Sequence, residues 1–310
     1  MAQITAAQVK ELRELTGAGM MDCKSALAEA NGNLEEATKI LRKKGLAAAA
    51  KKASRTATEG QVLAHLEEHD AVLVEVNCET DFVAQTDEFR ELADGIAAII
   101  ASTGVSSVEQ LMEQKWPGDA EGHTVAQVIS SRIAKIGENI TVRRFVHYKR
   151  AENAVFGYYI HANGKIGVLV EVKTSPGGAP TEAAEALAKE IAMHAAAAEP
   201  RFVRRDEVTE NDLATEREIA RDQALKSGKP EAVVEKIVAG KMEKFYGELV
   251  LLEQPYVRDD KMTVANLVAQ RGKEAGANFE VLRFTRFKLG EGLQKRSDDF
   301  AAEVMAQVQS

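Results

Sequence analysis

The chain of 310 residues is poor in several residue types at once: two cysteines, one tryptophan, six prolines and only 5% aromatics. Cys23 and Cys78 lie far apart and in no Cys-x-x-Cys pair, which excludes a disulfide framework and a zinc ribbon and points to a reducing compartment. No run of about 18 apolar residues occurs. The opening MAQITAAQVKEL has no basic region ahead of an apolar core, so a cytoplasmic location is expected. Positive charge is not in excess either: 40 Lys and Arg stand against 48 Asp and Glu, a formal net charge of -8. A direct nucleic-acid partner is therefore not expected, because phosphate-backbone binders need clustered basic residues. There is no Gly-x-Ser-x-Gly elbow, and Gly17-Ala18-Gly19 lacks the Gly-Lys-Ser/Thr ending of a phosphate loop. No cofactor, no metal and no catalytic chemistry are expected. What is present, 45% hydrophobic and 28% charged residues, is ordinary for a globular protein with two or three cores.

The most informative pattern is a repeat. Val72 to Val76 and Val168 to Val172 both read VLVEV, at an offset of 96 residues that also carries His65 onto His161. Val62-Leu63-Ala64 then falls on Tyr158-Tyr159-Ile160, and each apolar run leads into a turn. Downstream, Phe89 to Ala101 and Ala186 to Ala198 both place apolar residues at three- and four-residue spacing. The expected unit is strand, turn, strand, helix, present twice in a duplicated α+β core with antiparallel sheets. Only the first copy continues into Thr80-Asp81-Phe82-Val83. From the residues alone, Asp81 is either a helix cap or a contact residue, and Phe82 either a core plug or a wedge for something outside the chain.

The first 45 residues form a separate unit. Thr5 can cap a helix with Val9, Leu12 and Leu15 on one face; a second helix is expected from Asp22 to Ala30, and Asn33 can cap a third with Leu34, Ala37, Ile40 and Leu41 in a stripe. This resembles a ubiquitin-associated-type three-helix bundle, with Gly19-Met20-Met21 at its interaction loop. Both methionines could fill the core, yet adjacent loop residues cannot both point inward, so at least one is expected as a soft contact surface. An adaptor that uses this bundle to hold a ubiquitin-like or peptide ligand is the alternative function at this point. Lys39 to Arg55 holds seven basic residues and no acid, with no aromatics for base stacking, and reads as a solvated helical linker or an acidic-partner site.

His65-Leu66-Glu67-Glu68-His69 fits H-x-x-E-H, but it lies between two strands rather than on a helix, so its histidines would not share the face that a zinc site needs. Glu207 to Phe245 reads as a helical hairpin turning at Ser227 to Pro230, with Leu213, Ala220 and Leu225 facing Val234, Ile237 and Met242. It either packs, docks a partner or forms a homodimer. Leu249 to Val257 and Asn278 to Lys288 read as strand-rich. After Gly290-Glu291-Gly292, Ser297 can cap a terminal helix carrying Phe300, Val304 and Val308, which docks on its own core or on a partner. The expected segments are 1–55 for the bundle and basic linker, 56–150 and 151–285 for the two core copies with the hairpin at about 204–245, and 286–310 for a C-terminal helical module.

Five motifs, Thr16 to Lys24 (TGAGMMDCK), Glu75 to Val83 (EVNCETDFV), Lys135 to Ile140 (KIGENI), Ile191 to His194 (IAMH) and the closing GEG with DDFAAEV, are in order along nearly the whole chain. By these motifs the sequence resembles the bacterial translation elongation factor Ts family. The resemblance implies a guanine nucleotide exchange factor that binds the GTPase elongation factor Tu and promotes release of its GDP. It also implies roles. The loop matching Thr80, Asp81, Phe82 and Val83 disturbs the partner's Mg2+ site, with Phe82 wedged into the GTPase domain and Asp81 beside it. Arg13, Met20 and Met21 match residues that contact the same domain, and His161 falls where a second domain of the partner is touched.

Overall fold

The computed structural model describes residues 4–175, 181–226 and 230–294. The fold is α+β, and its described residues divide into two compact units: those within Met1–Leu63, Val74–Phe145 and Lys288–Ser310, and those within Ala64–Leu73 and Val146–Phe287.

In the first unit, α1 (Ala6–Thr16) starts at a capping box in which Thr5 Oγ1 accepts from the Gln8 amide and the Gln8 side chain accepts from the Thr5 amide. It stops at Gly17, whose φ of 65° few other residues adopt cheaply. α2 (Met20–Glu29) and α3 (Leu34–Lys52) follow, and Leu12, Cys23, Ala26, Leu27 and Ala37 form the small core of the three. Three expectations need correction here. Leu15 does not join Leu12 inside but is 64% exposed, because Thr16 turns inward and bonds the Leu12 carbonyl and approaches Cys23. α2 begins at Met20, since extended Gly19 serves as its cap, so both methionines stand on the first helical turn rather than in a loop. The basic run is helical to Lys52 but is no free linker: Gly45 is buried, an added Cβ there would meet Ala134 at 3.8 Å, and Lys52 Nζ donates to the Ile133 carbonyl at 3.4 Å.

Strands β1 (Glu59–Leu66) and β2 (Asp70–Cys78) form the first hairpin, so His65 and His69 straddle its turn as the strand spacing required. Helices α4 (Asp81–Ala84), α5 (Asp87–Thr103), α6 (Val108–Glu113) and α7 (Val125–Ile136) come next, then β3 (Thr141–Lys149), which completes a sheet of order β1-β2-β3. α5 buries Phe89, Leu92, Ile96 and Ile100, the period-3.6 stripe that its sequence carries.

The second unit repeats the plan. β4 (Ala154–His161) pairs antiparallel with β5 (Ile166–Thr174), Val155 opposite Val172 and Tyr159 opposite Val168. α8 (Thr181–Ala198) packs Ala184, Leu187, Ala188, Ile191 and Ala195 on Val168, Val170 and Val172. Helices α9 (Glu210–Lys226) and α10 (Glu231–Leu249) form the expected hairpin, bonded through Leu213, Ala220, Val234 and Met242, with Ala224 in the seam where Leu225 was expected. Leu225 is 52% exposed; residues 227–229 of the turn lie outside the described ones. The apolar segment Leu249 to Val257 is not mainly strand. It is the end of α10, a 3-10 turn (Leu251–Glu253) and the two-residue β6 (Pro255–Tyr256), which pairs with β7 (Asp259–Thr263). Short apolar runs of this kind are buried equally well in either form, and Val250 and Leu251 are fully packed here. After α11 (Val264–Ala275), β8 (Phe279–Lys288) closes a sheet of order β4-β5-β8.

Each repeat therefore owns a third strand that the local sequence pattern did not join to it. The third strands also match, Val142-Arg143-Arg144-Phe145 with Val281-Leu282-Arg283-Phe284. The duplicated Glu of VLVEV explains why. Glu75 and Glu171 are 0% and 1% exposed, and each takes the Nε of the matching arginine, Arg144 or Arg283, at 2.7 Å. A buried carboxylate without such a partner would be costly, so the shared motif carries a demand for a cation from a distant strand.

Candidate functional site

Strand β2 ends at Cys78, and two residues later Thr80 turns the chain into α4. Thr80 is extended, with φ -126° and ψ 153°, and its Oγ1 accepts the Val83 amide at 3.3 Å. The N-cap is thus Thr80, and Asp81 is the first helical residue, exposed to solvent. Phe82, which could have plugged the core, is 81% exposed, the highest value among the large apolar side chains described. Val83 is half-buried and Ala84 buried, so the short helix stands on one face and offers Phe82 on the other.

An aromatic so exposed needs its backbone held from beneath. The holder is Glu138, placed just after Gly137 ends α7 at φ 90°. Glu138 Oε2 accepts the amides of Glu79 and Thr80 at 3.1 and 3.0 Å, and Oε1 accepts the Thr80 hydroxyl at 2.7 Å. The clasp is reciprocal, because Glu79 Oε1 accepts the Asn139 amide at 2.7 Å. Asn139, 3% exposed, in turn donates Nδ2 to the Arg55 carbonyl at 2.8 Å. Gln61 Nε2 caps the other end of α4 at the Ala84 carbonyl, 2.7 Å away. Beneath the turn the Cys78 thiol donates to the Thr80 carbonyl at 3.1 Å. Burial first, and the nearby Glu138 charge second, push that thiol's pKa up to about 12, so it stays a protonated donor. Charged acceptors make the stronger hydrogen bonds, and three on one carboxylate leave the loop little freedom.

Glu138 and Asn139 carry the positioning, yet they stood in the sequence only as part of KIGENI, with no role. The available signal was a helix-ending glycine followed by an acid and an amide, which no local rule connects to a strand end some 60 residues earlier.

The N-terminal bundle, in the same unit, presents the other expected contacts. Arg13 is exposed on the last turn of α1, and Met20 and Met21 are 60% and 74% exposed. Both methionines are therefore exposed, where at least one was expected as a contact surface, and Leu15 on the last turn of α1 is exposed as well. His161 belongs to the second unit. It ends β4, exposed, with Nδ1 3.0 Å from the Tyr159 hydroxyl, and introduces a turn in which Ala162, Asn163 and Gly164 have φ of 50°, 55° and 88°. Left-handed alanine is uncommon and mildly strained.

Glu75 anchors the chain's last described turn. Its Oε1 accepts the Gly290 amide at 2.8 Å and Arg143 Nη1 at 2.9 Å. Burial alone would raise the Glu75 pKa, but the Gly290 amide, Arg143 and Arg144 outweigh it and hold the carboxyl below its usual range. Gly290 sits at φ 67°, where an added Cβ would come within 2.8 Å of the Thr58 carbonyl. The Ser297-capped helix lies outside the described residues.

Among the described residues, no group of three or more His, Cys, Asp or Glu is placed to hold a metal ion. No helix among them is long and apolar enough to cross a membrane.

A family model described as elongation factor TS matches residues 79–291. The chain is 54% identical over 302 residues to an elongation factor Ts of Syntrophotalea carbinolica, covering 97% of this chain and 98% of the relative. It is 48% identical over 308 residues to one of Clostridium tetani, covering 99% and 100%. A third, from Trichlorobacter lovleyi, is 47% identical over 306 residues, covering 98% of each.

Proposed function

The chain belongs to the elongation factor Ts family and serves translation elongation, and from that premise we propose that it is a guanine nucleotide exchange factor for elongation factor Tu. The observation that supports this reading is Phe82: an aromatic 81% exposed on a turn fixed at both ends has no task in its own fold. Driven into the GTPase, it displaces side chains around the bound Mg2+, with Asp81 alongside. The ion bridges phosphate oxygens and is a large local charge, so shifting its ligands weakens nucleotide binding with no covalent bond broken. The protein needs no catalytic chemistry of its own.

Energetics explain why one wedge is insufficient. The factor and GDP weaken each other's binding by the same ratio. A ten-thousand-fold ratio requires about 5.5 kcal/mol of differential interaction, while burying one Phe yields roughly 1.5–3 kcal/mol. Arg13, Met20 and Met21 on the bundle, and His161 on the second unit, supply further contacts that hold the wedge in place.

The test is release of fluorescent GDP from elongation factor Tu. Phe82→Ala should slow stimulated release by roughly tenfold to a hundredfold while nucleotide-free complex formation weakens much less. Unchanged release would remove Phe82 from the mechanism. Binding of a peptide or ubiquitin-like ligand by the bundle, without any effect on GDP release, would favour an adaptor instead.

A further inference from the structure

Helix α3 serves two neighbours within the first unit. Its first half closes the bundle core through Ala37, and its second half, from the buried Gly45 onward, lies on α7. A Cβ added at Gly45 would already touch the Ala134 Cβ at 3.8 Å, so a larger side chain would have to part the helices. The helix runs unbroken from Leu34 to Lys52. The direction of the bundle is therefore set by the way α3 lies on α7.

Covalently, the bundle hangs on residues 53–58 alone, between the end of α3 and the start of β1. An extended stretch of that length reaches roughly 20 Å, enough for an unattached bundle to swing through a wide arc. The stretch is tied down instead. Lys52 Nζ donates to the Ile133 carbonyl at 3.4 Å, a cation placed on the open carbonyls that end α7. Asn139 Nδ2 lies 2.8 Å from the Arg55 carbonyl and 3.5 Å from that of Ala53. Arg55 itself pairs with Glu79 at 3.5 Å. Asn139 is 3% exposed, and its backbone amide donates to Glu79 Oε1 at 2.7 Å. One residue thus reaches with its side chain toward the bundle and with its backbone toward the turn that carries Phe82.

We propose that Asn139 is a positioning residue for nucleotide exchange: by latching the end of α3 beside the turn, it presents Arg13, Met20 and Met21 together with Phe82 to the GTPase as one preformed surface. Two patches on one partner bind jointly with a strength set by the effective concentration of the second once the first is seated. Patches already held in the right relation lose little freedom on binding. Glu138 and Asn139 then divide the task. Glu138 fixes the turn and governs how fast the bound factor expels GDP, whereas Asn139 fixes the bundle and governs how much factor is needed. The inference rests on the exchange reading, and its test separates the two.

Stimulated release of fluorescent GDP is followed against the concentration of the full-length factor. Asn139→Ala keeps the backbone amide and removes only the side-chain donor. It should raise the half-saturating concentration about threefold to tenfold and leave the maximal rate within about twofold of wild type. Gly45→Cys with Ala134→Cys supplies a second latch in place of the first, because 3.8 Å between those Cβ positions suits a disulfide. Cys23 and Cys78 are buried and give little background. Oxidised, the pair should return the Asn139→Ala protein to the wild-type half-saturating concentration, and reduction should raise it again.

An unchanged half-saturating concentration in Asn139→Ala overturns the latch, whether or not the maximal rate falls. So does a defect that the disulfide fails to restore. Should Asn139→Ala not fold, as thermal melts would reveal, the oxidised pair in an otherwise wild-type chain still decides: full stimulation supports a preformed surface, and stimulation that returns only on reduction means that the bundle has to move. If the wild type itself fails to stimulate release, the exchange reading is what falls. The latch is then read from the rate of disulfide formation in the free protein, which Asn139→Ala should slow and which an unchanged rate would refute.

Discussion

Removing the Glu138 carboxylate tests whether the exposed aromatic acts because it is exposed or because it is aimed. Glu138 accepts three hydrogen bonds from the turn, at 3.1, 3.0 and 2.7 Å. A hydrogen bond to a charged group contributes roughly 1.5–3 kcal/mol when nothing replaces it. The turn is only half-buried, so water can take over the two amides, and the net loss of ordering in Glu138→Ala is on the order of 1.5–2 kcal/mol. If that loosens the turn, the competent arrangement of Phe82 falls from dominant to a minor fraction, and stimulated GDP release drops by about fourfold to tenfold. The assay is stopped-flow release of fluorescent GDP from elongation factor Tu, on four proteins: wild type, Glu138→Ala, Phe82→Ala and the double variant. Positioning makes a specific demand: once Phe82 is gone, Glu138→Ala should cost little more. Fully additive effects, or a Glu138→Ala variant that melts earlier but releases GDP at the wild-type rate, would refute the positioning role.

Two further outcomes follow from the same structure. Glu75→Gln should destabilise the protein by about 3 kcal/mol near neutral pH, because Arg143 and Arg144 lose a buried counter-charge. Since the folded Glu75 pKa is depressed, its contribution is present above the ordinary glutamate value of about 4.3 and is lost as pH falls through the folded value. The gap between denaturant melts of the two proteins should therefore narrow steadily as pH falls below about 4.3, and a gap that does not shrink across the acid range would contradict the ion-pair account. Gly60→Ala should lower stability by about 1–3 kcal/mol, because the strand is at φ 133° and the added Cβ would fall 2.1 Å from the Val76 carbonyl oxygen. An unchanged melting temperature would show that β1 can move off β2 freely.

Local rules recovered much of this architecture because its elements are locally consistent. The Thr5 cap, the Asn33 cap, the stripe of α5 and the hairpin turn between His65 and His69 each follow from spacing and residue type. The misreadings share a cause as well. Leu15 lost its inward place to Thr16, Leu225 lost its place to Ala224, and the apolar Leu249 to Val257 ended a helix. In each case a shift of one residue, or a choice between two ways of burying the same side chains, was decided by what lay across the contact.

Sequence by itself determined the duplication, the class of fold, the family and the oddity of Thr80 to Val83 in one copy only. These depend on residue identity and short-range period, which the chain carries openly. Tertiary structure alone decided that Thr80 rather than Asp81 caps the helix, that Phe82 faces out, and that Glu138 grips the turn from beneath. It also supplied the arginine that each repeated glutamate needs, from a strand far along the chain. A buried charge has to be matched in space, and nothing in the spacing of residues along a chain says which distant one will arrive.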